Sequence, residues 1–218
     1  MLRSRILHPE NGEKPLRTIM VTSSAPSEGK SFVSANLGVS IAQGLDQHAL
    51  IVDCDLRRPT LARLFGLSIS AHRGLADYLY DENCQLTDLL QKTAVDKLTI
   101  LPSGLPPDNP AELLASSRMS NLVEELSSRY ADRLIIFDSP PFQVASESAI
   151  LAKHVDGVVV VIGYGRSDRN QIRTMVDSLG RSRIIGVVFN GMRDNFFQRK
   201  VLDAYGYYGG YYRQDGKR

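Results

Sequence analysis

The segment with the clearest chemical potential is residues 24–31, SAPSEGKS, which follow an apolar run and lead into an amphipathic pattern. A strand, a loop of small residues and a helix in this order form a phosphate-binding loop, in which backbone N–H groups and the helix N-terminus hold phosphates. Lys30 would then reach the β- and γ-phosphates of a nucleoside triphosphate, and the Ser31 hydroxyl would bind Mg²⁺. Ser24 stands where the usual pattern has its first glycine, so a surface loop with a chance Gly-Lys-Ser is an alternative at this point.

Acidic residues end two other apolar runs. Asp53 and Asp55 follow the run that begins at Ala49, and Asp138 follows the run that begins at Leu134. Because parallel strands share one carboxyl edge of a sheet, these carboxylates should lie beside the phosphate-binding loop. Carboxylates next to a triphosphate raise its electrostatic energy unless a hard cation lies between them, so Mg²⁺ is expected as a cofactor with ATP.

These residues divide into a catalytic set and a metal-binding set. We assign Lys30, Asp53 and Asp55 to catalysis, where one of the two aspartates accepts the proton of the attacking hydroxyl and the sequence leaves open which one. We assign Ser31, Asp53 and Asp138 to Mg²⁺, with Asp138 acting through its water shell. The alternative for each aspartate is a cap on the turn or helix after its strand.

A third strand end contributes an amide to the expected nucleotide site. Asn190 follows the apolar run 184–189, and its side chain could read the adenine edge through paired donor and acceptor groups. The alternative is an asparagine that serves a turn before Gly191. The residues predicted to contact the nucleotide are Ser27, Glu28, Gly29, Lys30, Ser31, Phe32 and Asn190.

The end of the chain is biased in composition. Five of the nine tyrosines lie within residues 205–212, interleaved with glycines that predict a mobile tail: Tyr205, Tyr207, Tyr208, Tyr211 and Tyr212. These tyrosines can be a flexible, amphipathic segment, or they can be phosphoacceptors on a backbone loose enough to enter an active site. We therefore expect a nucleotide-binding domain over residues 1–204 and a tyrosine-rich tail over residues 205–218.

The elements that must position these residues follow from the apolar pattern. Runs at 18–22, 49–52, 98–101, 134–137, 158–162 and 184–189 lack polar alternation, which predicts strands buried on both faces. Helical spacing recurs at 31–43, 109–117, 118–130, 147–153 and 169–179. This alternation predicts an α/β fold, a mostly parallel central sheet flanked by helices on both faces, of the P-loop nucleotide-binding type.

Composition excludes several other classes of protein. With 218 residues and 43% hydrophobic residues, the chain fits one sizeable globular domain. The formal charge of +2 gives no support to a nucleic-acid partner. The distant Cys54 and Cys84 indicate neither a zinc site nor a disulfide framework, and no run approaches the roughly 18 apolar residues of a membrane span. A cytoplasmic location is therefore expected.

Together, SSAPSEGKS, IVDCDLRRP, IIFDSPP and the tyrosine cluster resemble the bacterial tyrosine kinases that control exopolysaccharide synthesis and export. The likeness runs from about Arg17 to Tyr212. It implies a protein-tyrosine autokinase that uses ATP and Mg²⁺, with the three nucleotide motifs at Lys30 and Ser31, at Asp53 and Asp55, and at Asp138. The tail tyrosines are the implied phosphoacceptors.

The resemblance also implies partners. Such kinases assemble as rings in which one subunit's tail enters its neighbour's site, and a membrane-spanning polysaccharide chain-length regulator activates them and would bring the chain to the inner face of the membrane. A cognate protein-tyrosine phosphatase is the implied antagonist. Two departures stand out: Ser27 replaces a glycine, and Met1-Leu2-Arg3 resembles only the last part of the family's ring-forming Glu-x-x-Arg-x-x-Arg helix, which suggests a shortened N-terminus.

Two other functions use the same residues. A switch-type ATPase, akin to plasmid-partition and division-site proteins, shares the strand-end aspartates but carries an additional lysine near the start of the loop, where this chain has Ser23-Ser24-Ala25. Such proteins also lack a terminal tyrosine cluster. A nucleotide-binding adaptor without catalysis is the third hypothesis. Four retained residues argue against it: Lys30, Asp53, Asp55 and Asp138.

Overall fold

A computed structural model describes residues 2–7, 15–67, 73–130, 132–143 and 147–192. The strands within these ranges are β1 (Thr18–Ser23), β2 (His48–Asp53), β3 (Gln91–Lys92), β4 (Leu98–Leu101), β5 (Arg133–Asp138), β6 (Gly157–Gly163) and β7 (Ile184–Asn190). The α-helices are α1 (Leu2–Leu7), α2 (Lys30–Ala42), α3 (Leu61–Leu64), α4 (Leu75–Tyr80), α5 (Pro110–Leu114), α6 (Ser117–Arg129), α7 (Glu147–His154) and α8 (Arg169–Leu179). Short 3-10 helices span Leu86–Asp88 and Arg181–Arg183.

The strands form one sheet in the order β3-β4-β2-β5-β1-β6-β7. Every pairing is parallel except that of β3 with β4. The strand β1 lies between β5 and β6, so its carboxyl end is flanked by the ends of both neighbours. Ligands of such sheets bind at the carboxyl edge, and the register places Asp53 directly opposite Asp138 there.

Each face of the sheet is covered by its own apolar cluster. Alternate residues of β1 divide between the faces: Met20 packs on the side of α4 to α8, whereas Ile19 and Val21 pack on the side of α1, α2 and α3. This alternation follows from the period of two residues along a strand. The predicted sheet with helices on both faces is therefore confirmed, and the central strands are buried on both sides.

The six predicted strands and five predicted helices are all present in the described residues, with ends shifted by a few residues at most. Six elements were not predicted: β3, which consists of Gln91 and Lys92, the short helices α1, α3 and α4, and the two 3-10 helices. The prediction of burial on both faces is wrong for β7, where Val187 is 49% and Phe189 is 61% exposed. Among the described residues, β7 pairs with β6 alone and no helix covers the face that carries Val187 and Phe189.

Two predictions concern residues that the structure does not describe. The tyrosines of residues 205–212, and with them the proposed division at residue 204, lie outside the described residues. Of the helices within the described ranges, none combines the length and apolar character that crossing a bilayer requires.

Candidate active site

The phosphate-binding loop predicted from residues 24–31 connects β1 to α2. Two of its residues adopt left-handed backbone conformations, Ser27 with φ 64° and Gly29 with φ 93°. The helix α2 begins at Lys30, and its first bond runs from the N–H of Val33 to the carbonyl of Gly29 at 3.0 Å. These turns direct the loop backbone and the helix N-terminus toward the carboxyl edge of the sheet, as anion binding requires.

Glu28 fixes the conformation of this loop from within. Its buried carboxylate accepts hydrogen bonds from the Ser24 hydroxyl at 3.0 Å and the Ala25 N–H at 3.0 Å, and it contacts the hydroxyl of Ser167, two residues before α8. The serine at position 24, which departs from the usual glycine, therefore contributes a donor that glycine lacks. Ser24 and Ser167 belong to the site although the motif alone assigns them no role.

Asn190 contacts the loop from the end of β7. Its side-chain amide donates to the carbonyl of Glu28 at 2.9 Å. A Cβ atom on Gly29 would lie 1.9 Å from the same amide nitrogen, so this position has room only for glycine unless Asn190 moves. Asn190, which is predicted to contact adenine, therefore lies beside the phosphate-binding loop, and its amide nitrogen donates a hydrogen bond to the loop backbone. Beyond this contact, its role with a nucleotide stays a prediction.

Lys30 points toward the carboxylates at the strand ends. Its Nζ lies 2.8 Å from Oδ2 of Asp55 and 3.3 Å from Oγ of Ser31. Burial alone would lower the pKa of Lys30, but the charges of Asp138 and Asp55 outweigh it and raise the pKa above its ordinary value. The amine of Lys30 is therefore protonated. Its ion pair with Asp55 connects the phosphate-binding loop to the turn after β2.

Asp53 and Asp55 both hold the turn that follows β2. Asp53 accepts bonds from the N–H groups of Asp55, Thr60 and Leu61 at 3.1 to 3.3 Å, which caps the start of α3. Asp55 accepts a bond from the N–H of Arg58 at 3.1 Å. Burial, and next the charge of Asp138, raise the pKa of Asp53 to about 8. The alternative that each aspartate caps the turn or helix after its strand is therefore observed for Asp53 and Asp55, and their roles in chemistry stay predictions.

Asp138 is completely buried at the end of β5. Its Oδ1 accepts a bond from the hydroxyl of Ser34 at 3.0 Å, and its Oδ2 has no hydrogen-bond partner among the described residues. Burial raises the pKa of Asp138, although the charge of Lys30 opposes this effect. Ser34 is a further site residue that the motif did not reveal. Its place, one helical turn after Lys30, was the available signal.

The donor set fits Mg²⁺. An orphaned carboxylate oxygen on Asp138 and a hydroxyl on Ser31 are the hard oxygen ligands that this ion prefers. In the described part of the chain, no three acidic, histidine or cysteine side chains converge tightly enough to hold an ion unaided. Mg²⁺ does not need such a cage, because it usually keeps several waters and binds one or two carboxylates plus phosphates.

Two cavities border the loop. One of about 510 Å³ lies beside Lys30 and Asp55 and is also lined by apolar and arginine side chains of α2, α3 and the turns after β2 and β5. The other, of about 380 Å³, lies on the opposite side of the loop, between Glu28, Tyr164 and Asn190.

A larger cavity of about 980 Å³ lies at the amino edge of the sheet around Arg17 and Asp156. It touches none of the predicted site residues, so we place the chemistry at the carboxyl edge.

Comparisons with known proteins agree with this geometry. The family described as the CobQ/CobB/MinD/ParA nucleotide binding domain matches residues 19–206. Tyrosine-protein kinase YwqD of Bacillus subtilis (strain 168) is 34% identical over 199 residues, which cover 90% of this chain and 79% of the relative. Tyrosine-protein kinase CpsD of Streptococcus agalactiae is 30% identical over 207 residues, which cover 94% and 86% of the two chains.

Solved structures give the same result. The kinase domain of VpsO superposes with a TM-score of 0.77 at 34% identity, covering 88% of this chain and 91% of that domain. The septum site-determining protein MinD of Pyrococcus horikoshii, solved with Mg-ADP, superposes with a TM-score of 0.65 over 82% of this chain and 72% of that one. Its identity is only 20%, so that likeness shows the fold alone.

Proposed function

The chain belongs to the CobQ/CobB/MinD/ParA nucleotide-binding domain family and, within it, to the bacterial tyrosine-protein kinases; from this premise we propose that it transfers the γ-phosphate of ATP to tyrosines of its own C-terminal segment. The family gives protein-tyrosine kinase activity. The proposal adds the nucleotide, the metal, the acceptor and the roles of individual residues.

The observation that carries the proposal is the contact of 2.8 Å between Lys30 and Asp55. It joins the residue expected to hold the phosphates to a carboxylate that can accept a proton, at the edge of a cavity open to a second substrate. Phosphoryl transfer depends on position and charge rather than on covalent catalysis, and this arrangement supplies both.

The structure supports a choice between the two aspartates. Asp55 lines the 510 Å³ cavity and is one of its polar groups, whereas Asp53 is buried behind it and holds three backbone N–H groups. We assign Asp55 as the proton acceptor and Asp53 as the residue that positions it. The tyrosine Oη then loses its proton to Asp55 and bonds to the γ-phosphorus, while the bond from that phosphorus to the β,γ-bridging oxygen breaks and ADP leaves.

Other residues hold the charges that this step moves. Lys30 and the N–H groups of the loop offset negative charge on the γ-phosphate. Ser31, Asp53 and the unpartnered oxygen of Asp138 would hold Mg²⁺, which neutralises charge between the β- and γ-phosphates when bound. The 380 Å³ cavity beside Asn190 has room for the nucleoside. Cys54 takes no part, because burial raises the pKa of its thiol well above the ordinary value.

The wider role rests on the sequence resemblance. We propose that the kinase regulates exopolysaccharide or capsule synthesis and export, that a membrane-spanning chain-length regulator activates it and brings it to the inner face of the membrane, and that a tyrosine phosphatase reverses its action. Assembly of several copies into a ring belongs to the same proposal. A switch-type ATPase is not favoured, because the relatives that are 30% or more identical are named tyrosine-protein kinases, whereas MinD is only 20% identical.

The test is mass spectrometry of the intact chain and of its peptides after incubation with Mg-ATP. We expect phosphate on tyrosines of residues 205–212, and none in a Lys30→Met variant whose circular dichroism spectrum matches that of the unsubstituted chain. The exposed Lys153→Met serves as a matched control and should keep the modification. Phosphate retained in Lys30→Met would refute the assignment, and ADP without phosphotyrosine would favour an ATPase.

A further inference from the structure

The cavity beside Lys30 and Asp55 has an apolar wall that the nucleotide does not explain. Phe32 is 57% and Leu64 is 50% exposed, and both line the cavity together with Pro140 and Pro141. Phosphates and Mg²⁺ gain nothing from such a surface, but a flat aromatic ring does. The cavity measures about 510 Å³, which is more than a phenol ring alone occupies.

Arginine side chains also line this cavity. Arg58 and Arg63 are exposed and border it, and neither guanidinium has an ion-pair partner among the described residues. The single acidic residue in the described lining, Asp55, is already paired with Lys30 at 2.8 Å. The mouth therefore offers two planar donors to an anion near the apolar wall.

From this juxtaposition we propose that the cavity binds the tyrosine segment of this chain, residues 205–212, and that Arg58 and Arg63 bind a phosphotyrosine already formed beside the next acceptor. The inference rests on the proposed function and adds a rule of substrate choice to it. The acceptor ring packs on Phe32 and Leu64 with its hydroxyl toward Asp55. The neighbouring phosphotyrosine then reaches the guanidinium groups.

The sequence of the segment fits this arrangement. Tyr207 and Tyr208 are adjacent, and Tyr205 precedes Tyr207 by two residues, a span of roughly 7 Å in an extended chain. Thus every acceptor in this group has another tyrosine one or two residues away along the chain. Charge-assisted bonds between guanidinium and phosphate are about twice as strong as neutral ones, so the first modification would promote the later ones.

The experiment uses the full chain with its five tail tyrosines replaced by phenylalanine, so that an added peptide is the only tail acceptor. Two peptides carry the sequence of residues 203–214 with Tyr207 as the single acceptor. In the first, the other four tyrosines are phenylalanine; in the second, positions 205 and 208 are phosphotyrosine and positions 211 and 212 are phenylalanine. The ratio of kcat/KM for the second peptide to that for the first is measured with Mg-ATP.

We expect a ratio of about tenfold or more, equivalent to one charge-assisted bond, and a ratio near one in Arg63→Gln and in Arg58→Gln. Arg173→Gln on α8, an exposed arginine away from the cavity, is the matched control and should keep the full ratio. Equal rates for both peptides in the unsubstituted background would overturn the inference and leave the proposed function standing. Failure to phosphorylate either peptide would instead overturn the proposed acceptor, and the inference with it.

Discussion

At the scale of single residues, the buried carboxylates set how the folded chain responds to pH. The folded state raises the pKa of Asp53 to about 8, chiefly by burial, and raises that of Asp138 for the same reason. The folded state therefore binds more protons than the unfolded state above the ordinary carboxyl pKa of about 4. The stability that these protonated carboxyl groups contribute is fully present below about pH 4, and it is lost as the pH rises toward about 8.

The first prediction is that this loss depends on Asp138. In buffer free of nucleotide and Mg²⁺, the free energy of unfolding should fall between pH 5 and pH 8, and Asp138→Asn should reduce the fall by about 1–3 kcal/mol. The substitution keeps an oxygen for Ser34 and removes a buried charge. Urea unfolding at several pH values measures this, with the exposed Asp108→Asn as control. An unchanged pH profile in Asp138→Asn would contradict the argument.

The second prediction concerns Ser27, whose φ of 64° is strained for a residue with a side chain. Glycine at this position relieves a cost of about 1–2 kcal/mol and loses part of that gain to the entropy of the unfolded chain. Ser27→Gly should therefore raise the free energy of unfolding by up to about 1 kcal/mol. Ser27→Ala keeps the strained backbone and should show no gain, so equal effects of the two substitutions in urea unfolding would refute the explanation.

At the scale of elements, the sequence predicts what apolar runs and motifs encode locally. Residues 134–137 of β5 are all apolar, which predicts a strand, whereas β3 consists of two polar residues that pair with Thr99 and Ile100. Helix α3 has four residues, too few to show a period of 3.6. Such elements exist because of tertiary contacts. They cannot be found from local patterns.

The site shows the same division. The loop and the three aspartates were predicted because the end of a parallel strand has one possible edge of the sheet. The contacts between them were not, since the bond from Ser34 to Asp138 spans 104 residues and that from Ser167 to Glu28 spans 139. The sequence predicts Asn190 at the nucleotide. It does not predict the hydrogen bond from Asn190 to the Glu28 carbonyl, because these residues are 162 positions apart and the bond depends on tertiary packing of β7 against the loop.

The third prediction concerns the contact between the phosphate-binding loop and the end of β7. Gly29→Ala forces a strained φ and displaces the Asn190 amide, so it should cost about 2–3 kcal/mol of stability. Asn190→Ala loses only its bond to Glu28, about 1 kcal/mol. In the double variant the bond is lost once, and the total should fall short of the sum by about 1 kcal/mol. Purely additive costs in urea unfolding would show that the loop and β7 are independent.

At the scale of the whole molecule, the predicted site residues that the structure describes lie at one edge of the sheet. The phosphate-binding loop, the strand-end carboxylates and the arginine-lined cavity all lie at the carboxyl edge, while the 980 Å³ cavity at the amino edge contains none of the predicted site residues. The formal charge of the chain is only +2. The proposed phosphorylation of residues 205–212 would therefore change the charge of the entire subunit, not only that of a local patch.

The fourth prediction follows from this charge. Five phosphates add about −1.5 to −2 each, so a subunit of formal charge +2 becomes strongly negative, and assembled subunits repel one another. If the chain forms the proposed ring, the phosphorylated form should have the lower oligomeric mass in sedimentation at about 0.05 M salt. Because the Debye length falls from roughly 14 Å there to 3 Å at 1 M, high salt should restore assembly if repulsion is the cause. Equal masses of both forms at low salt would refute the prediction, and dissociation that persists at 1 M salt would mean that phosphorylation removes a specific contact instead.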